Sequence, residues 1–171
     1  MKIKLTIVSF CIVLLSYSQS YIGKGDEKMQ IGISFVDGGT GLLASYDRGL
    51  GENISVGISS TYLLSANSYS YTDSSVNYTV DPDAIDRFDL KARVNVHLTD
   101  VLNISDNFDF YPGLNIGLKN LGLHTGARYF FTKGFGLFSE IDFPIAKFDD
   151  KADFQYFNGF KLNLGVSLNL E

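Results

Sequence analysis

The sequence predicts an all-β fold: an eight-stranded antiparallel up-and-down transmembrane β-barrel preceded by a cleaved signal peptide. Three observations carry that prediction. Apolar and polar residues alternate with period two along most of the chain after residue 28. Hydrophobic residues make up 45% of the 171 positions and charged residues only 19%, against a usual charged share of about 25%. Despite that apolar content, no run approaches the roughly 20 consecutive apolar residues that a spanning helix requires.

The first element is the N-terminus. Met1-Lys2-Ile3-Lys4 is a basic start, residues 5–15 form a short apolar run, and Ser16-Tyr17-Ser18-Gln19 supplies small residues around a cleavage point. That order is the mark of a secretory signal peptide. It is assigned to residues 1–18, with cleavage after Ser18 or alternatively after Ser20. Cys11 is no lipoprotein site, because Phe10 precedes it and the apolar run continues beyond it. Processing removes Lys2, Lys4 and the single cysteine, leaving 12 basic against 19 acidic residues, a net charge of −7. The mature chain therefore has no disulfide, and its acidic balance argues against nucleic acid as a partner. Residues 19–27 are expected to be a short N-terminal segment.

The strands follow in order. Met29, Ile31, Ile33 and Phe35 alternate with Gln30, Gly32 and Ser34, and a second strand runs over about 42–48 after a glycine-rich turn. In the third, Ile54, Val56, Ile58, Tyr62 and Leu64 oppose Ser55, Gly57, Ser59 and Thr61. The fourth sets Phe88, Leu90, Ala92, Val94, Val96 and Leu98 against Asp89, Lys91, Arg93, Asn95 and His97. The fifth, sixth and seventh cover 108–118, 121–131 and 135–145 on the same pattern. The eighth is the clearest: Phe160, Leu162, Leu164, Val166, Leu168 and Leu170 take every even position, and Lys161, Asn163, Gly165, Ser167 and Asn169 every odd one. Side chains on a strand point alternately to its two faces, so each strand has one apolar and one polar face. No stretch has a helical period. Pro112 and Pro144 fall inside strands, where neither can donate a ladder hydrogen bond, and predict bulges or strand ends.

Eight antiparallel strands close naturally into a barrel. Which face is inside is read from the polar one. A water-facing sheet would be crowded with Lys and Glu. Here the polar face is Gly, Ser, Asn and Thr with isolated charges of both signs, namely Asp47, Lys91, Arg93, Asp109, Lys119, Arg128, Glu140, Asp142 and Lys161. Small residues and balanced charges suit a narrow interior, which puts the apolar face outward toward lipid. Phe108, Phe110, Tyr129, Phe131 and Phe135 at one end of the strands, and Phe35, Tyr62, Phe88, Phe143 and Phe160 at the other, are placed as two interfacial girdles. Longer connections at 37–41, 65–86, 118–121 and 146–156 are expected on one side, and turns at 49–53, 99–107 and 132–134 on the other. The connection 65–86, rich in Ser, Tyr and Asp, reads as a solvated loop available for surface recognition.

Two segments extend this reading to a family. Residues 126–140, GARYFFTKGFGLFSE, have the form of a barrel hairpin, and Asn163-Leu164-Gly165-Val166-Ser167-Leu168-Asn169-Leu170 matches a terminal polar-x-Gly-x-x-apolar-x-apolar signal. Through them the chain resembles the small eight-stranded outer-membrane β-barrel proteins of Gram-negative bacteria, and its opening, Gly23-Lys24-Gly25-Asp26 through Asp37-Gly38-Gly39-Thr40-Gly41, is similar to an uncharacterised family of such barrels. The resemblance implies location in the outer membrane, with residues 28–171 as the barrel and 19–27 in the periplasm. It implies outer-membrane lipid as surroundings, and the barrel-assembly machinery as a partner during biogenesis, reading Asn163, Gly165, Leu168 and Leu170. It implies no activity.

For function, the interior charges are the best feature. Lys91, Arg93, Asp109, Arg128, Glu140, Asp142 and Lys161 are expected to form a salt-bridge network filling the lumen, since buried charges need partners. The pairings considered are Arg128 with Glu140 or Asp142, and Lys91 or Arg93 with Asp109. The expected role is structural or surface-interacting, by a monomer displaying its loops. A narrow, porin-like channel for ions or small solutes is the alternative, and a lipid-modifying enzyme the more distant one. His97 and His124, the two histidines, sit in no metal-binding spacing. Neither His97-Leu98-Thr99 nor His124-Thr125 supplies a His-x-Ser pair, and by period two both histidines point inward, away from lipid. With no nucleophile and base expected in reach, no catalytic residue, metal or cofactor is assigned, and no extracellular partner is named.

Overall fold

The computed structural model describes residues 20–73, 76–102, 104–148 and 154–170. The expected signal peptide at 1–18 lies outside the described residues. Among the described residues ten strands form: β1 (Glu27–Val36), β2 (Gly39–Gly49), β3 (Ile54–Ala66), β4 (Tyr69–Asp73), β5 (Val76–Val80), β6 (Phe88–Val96), β7 (Phe108–Gly117), β8 (Asn120–Phe130), β9 (Phe135–Lys147) and β10 (Lys161–Asn169). Eight of them close into a barrel in the order β1-β10-β9-β8-β7-β6-β3-β2, while β4 and β5 make a separate hairpin. Every neighbouring pair is antiparallel, and the seam joins first strand to last, from Lys28 opposite Asn169 to Val36 opposite Lys161.

The two faces are inverted relative to a water-soluble protein. Along β6, the apolar Leu90, Val94 and Val96 are 41–46% exposed, whereas Asp89, Lys91, Arg93 and Asn95 are 0–3% exposed. The same alternation runs around the barrel: Ile31, Ile33, Ile58, Leu114, Ile116, Leu123, Leu137 and Leu164 face out, and Gln30, Ser34, Ser59, Asn115, His124, Glu140 and Asn163 are buried. Period two does this directly, because consecutive Cβ atoms leave opposite faces of a strand.

The prolines sit where the ladder can spare a donor. Pro144 lies beyond the last residue of β9 that pairs with β10, and the β8–β9 register skips a residue beside it, between Leu121 and Gly122. Pro112 lies just past the paired stretch of β6 with β7, which ends at Asn95 opposite Gly113. A second register shift falls between Thr40 and Gly41. It leaves Leu64 unpaired and turns Leu63 into the interior.

Three expectations need correction. Connections at 37–38 and 118–119 are two-residue links, so only 67–87 and 148–160 are long on that end of the barrel. The first link is tight enough to need Gly38 at φ +75°. Lys119 therefore lies in a link, not on the interior face. The 65–86 segment is not simply a solvated loop, because β4 and β5 pair from Tyr69 opposite Val80 to Asp73 opposite Val76. Tyr, Thr and Val are strong strand formers, and that propensity outweighs the Ser and Asp that suggest a coil. Finally, Thr99–Leu102 makes one helical turn within the 97–107 connection.

Candidate functional site

The barrel interior is the candidate site, built from inward positions of all eight strands. Among the described residues, five buried cations (Lys28, Lys91, Arg93, Arg128 and Lys161) stand with six buried carboxylates (Asp26, Asp47, Asp89, Asp109, Glu140 and Asp142). With the two signs nearly matched, most charges can find a partner. An unpaired one would carry the full desolvation cost.

The central bridge is built on Arg93. Its Nε and Nη2 reach Asp47 at 2.9 and 3.0 Å, a two-pronged contact, and its Nη1 reaches Glu140 at 3.0 Å. Arg128 contacts Asp109 at 3.2 Å and Asp47 at 3.7 Å, with its guanidinium 4.0 Å from the Tyr111 ring centroid. Tyr111 is fully buried and accepts a hydrogen bond from Gln30 Nε2 at 3.0 Å. Toward the 37–38 end, Lys91 donates to Asp142 at 3.0 Å and to Asn115 at 3.1 Å, and Lys161 lies 3.9 Å from Asp142.

All seven charged residues singled out in the sequence are therefore buried together, but with other partners. Arg128 pairs with Asp109 and Asp47, not with Glu140 or Asp142. Lys91 and Arg93 reach Asp142, Asp47 and Glu140, not Asp109. The reason is geometric: Arg128 stands directly opposite Asp109 on the adjacent strand, whereas the long side chains of Lys91 and Arg93 reach through the narrow interior to β9 and β2, strands that do not pair with β6. Of the C-terminal residues, Asn163 is buried and donates to Glu140 at 3.3 Å. Gly165 faces Gly32 across the seam, Leu168 faces Met29, and Leu170 N–H donates to Glu27 O at 2.9 Å.

A second constellation is one the sequence analysis missed. Asp109 Oδ2 accepts from His97 Nδ1 at 2.9 Å, and Ser55 Oγ lies 2.8 Å from His97 Nε2. With Nδ1 protonated toward Asp109, Nε2 is left to accept the Ser55 hydroxyl. Ser55 Oγ in turn accepts from Asn95 Nδ2 at 2.9 Å, and Asn95 Oδ1 lies 2.6 Å from His124 Nε2. Asn115 Nδ2 completes the chain, 3.2 Å from His124 Nδ1 and 2.8 Å from Asp142. Two amides in this chain argue against proton conduction, since an amide nitrogen has no free lone pair to accept a proton. Its effect is to fix the orientation of every polar group in it. The missed signal was register: Ser55 pairs with Asn95, and His97 N–H donates to Asn53 O at 2.8 Å, so His97 is the next inward position beside Ser55.

Both ends are covered. At the 50–53 end, Tyr21 stacks on the His97 ring at 3.6 Å between centroids and 11° between planes. Its hydroxyl contacts Gly51 O at 3.0 Å and Ile54 O at 2.8 Å. Burial, with Asp26 nearby, pushes the Tyr21 phenol up to about 12, so the proton stays available for that bonding at ordinary pH. Asp26 accepts from Ile22 N–H at 2.7 Å and pairs with Lys28 at 2.7 Å. Residues 20–26 are thus a strap across the mouth, not a free tail. At the other end Tyr156 and Phe157, in a short 3-10 turn, pack with Leu63. Asn120 Nδ2 donates to Phe157 O at 2.7 Å, and the Tyr156 hydroxyl donates to Asn67 O.

No curated protein matches this chain. Residues 11–170 match the profile of the family of unknown function DUF6646, and the chain belongs to that family.

Proposed function

We propose that this chain is a closed, non-conducting outer-membrane β-barrel of a Gram-negative bacterium, exported through a cleaved signal peptide and monomeric in the membrane. Its role on this reading is structural or surface-interacting, through the segments at the 67–87 end. The observation that carries the reading is the inversion of faces, with a continuous apolar exterior around a buried ion-pair network. An exposed apolar surface of this extent is unfavourable in water and favourable in hydrocarbon.

Dimensions support it. From Phe88 to Val96 the chain advances eight steps, about 27 Å at roughly 3.4 Å per residue. Tilted as barrel strands are, that gives roughly 20 Å of height, close to the apolar band of about 25 Å. Exposed rings pair near both rims: Tyr129 with Phe131 at 5.2 Å toward one, and Phe143 with Phe160 at 5.4 Å toward the other. Amphipathic and aromatic rings favour that depth. The β4–β5 hairpin, with Tyr69 and Tyr78 exposed, is the part offered to a partner. Asn163, Gly165, Leu168 and Leu170 are assigned to recognition by the assembly machinery.

An eight-stranded interior is ordinarily filled by side chains, and here both mouths are covered as well. Full-length mature protein in planar lipid bilayers is expected to give a flat baseline without unitary current steps. Reproducible steps of uniform size from folded protein would replace this reading with the narrow channel.

A further inference from the structure

We infer that Ser55, His97 and Asp109 form a nucleophilic hydrolytic site for a small carboxylic ester, held closed by the Tyr21 strap. Three roles that acyl transfer requires are present. Ser55 is the nucleophile, His97 the base in direct contact with it, and Asp109 the positioning residue that holds the imidazole in the needed tautomer. Asp109 is itself fixed by Thr99 Oγ1, which donates to its other oxygen at 3.1 Å, and by Arg128 Nε at 3.2 Å. The Asn95 amide donates to Ser55 Oγ. This directs the hydroxyl proton at His97 and leaves an oxygen lone pair for attack.

Access is controlled by one ring. The crevice bounded by Ser55, His97, Lys28, Asp47 and Arg128 has essentially no free volume beneath Tyr21. On the outer side of the same ring lies an open groove of about 490 Å³, lined by Tyr21, Lys24, Gly51 and Glu52 among others. Moving Tyr21 off His97 joins the groove to the crevice. Lys24, Glu52 and Asn53 give the groove polar walls, and it lies at a barrel mouth, outside the apolar exterior. It suits a small polar ester and not a lipid chain.

In the reaction, Ser55 Oγ bonds to the carbonyl carbon as its proton passes to His97 Nε2 and the carbonyl electron pair moves onto oxygen. Lys28 and Arg128 line the crevice and are the cations near enough to lower the energy of the developing oxyanion. Collapse breaks the bond to the leaving alcohol, which takes the proton from His97. Water then repeats both steps on the acyl-serine, releasing the carboxylic acid and regenerating Ser55.

The test uses a fluorophosphonate probe on the refolded full-length mature barrel, with peptide mass spectrometry locating the adduct. A Tyr21→Ala variant is expected to acquire one adduct, on the peptide containing Ser55, about tenfold or more faster than the unmodified chain, because rate follows the open fraction. Adding His97→Gln should slow labelling by at least about a hundredfold, the usual range for losing a general base. Ser55→Ala should abolish it. Tyr21→Phe keeps the stacked ring, loses the hydroxyl's contacts with Gly51 O and Ile54 O and should label at an intermediate rate. It carries the same test if Tyr21→Ala fails to fold. A folded Tyr21 variant that leaves Ser55 unlabelled, or labels it equally fast when His97→Gln is added, overturns the proposal. Neither result bears on whether the barrel conducts.

Discussion

Replacing Arg93 by methionine is expected to destabilise the barrel by about 3–5 kcal/mol, the cost of leaving buried carboxylates without their cation. Arg93 is 3% exposed and spends three nitrogens on two acids, Asp47 and Glu140. Without it, Asp47 keeps the longer 3.7 Å contact with Arg128, and Glu140 the 3.3 Å hydrogen bond from Asn163. Arg93→Lys should fall between the two, because a single ammonium cannot grip two carboxylates with a planar fork. Combining Arg93→Met with Asp47→Asn and Glu140→Gln should recover much of the loss, as neutral groups of similar shape need no counter-charge. Urea unfolding in lipid vesicles, followed by far-ultraviolet circular dichroism because the chain has no tryptophan, checks all three. Equal midpoints for Arg93→Met and the unmodified chain would show that the central bridge contributes nothing.

Gly165→Ala should cost about 3 kcal/mol, at the upper end for overpacking. A Cβ at Gly165 would stand 2.2 Å from Ile31 O and 2.5 Å from Gly32 Cα, and one at Gly32 would stand 2.3 Å from Leu164 O. Backbone atoms cannot swing aside as a flexible side-chain tip can, and these two glycines face each other across the seam that closes the barrel. Gly134 in the 131–134 turn is the internal control. Nothing lies within 4 Å of its added Cβ, so Gly134→Ala should be neutral or slightly stabilising through the unfolded chain. Because the measurement uses purified protein in vesicles, a large loss at Gly165 alone assigns that glycine a steric role independent of any assembly signal.

Much of the barrel was legible because one periodicity determines both pairing face and burial. The Phe160–Leu170 alternation, Lys161 and Asn163 included, needed no partner information to place its polar residues on one face. Relations between strands were less accessible. Arg93 meets Asp47 and Glu140 on strands that do not pair with its own, a contact that depends on strand order and closure and leaves no trace in local spacing. Ser55 and His97 are 42 residues apart, and only the β3–β6 register makes them neighbours. A search for His-x-Ser could not find them. The β4–β5 hairpin was hidden for a different reason: its Ser and Asp content resembles coil, and strand propensity in Tyr69, Tyr78 and Val80 decided the outcome.

The central claim is that the apolar exterior meets hydrocarbon. Nitroxide labels at the outward positions Leu90, Val94, Ile116 and Leu164 leave the interior network untouched. Electron paramagnetic resonance of those labels in lipid vesicles reports collisions with dissolved oxygen, which concentrates in hydrocarbon, and with a water-soluble nickel chelate, which does not enter it. Oxygen collision rates should be high and nickel rates low at all four, with the contrast fading for labels moved toward Phe88 and Val96 at the ends of β6. Nickel collision rates at Leu90 and Val94 equal to those of a label in water would contradict the claim.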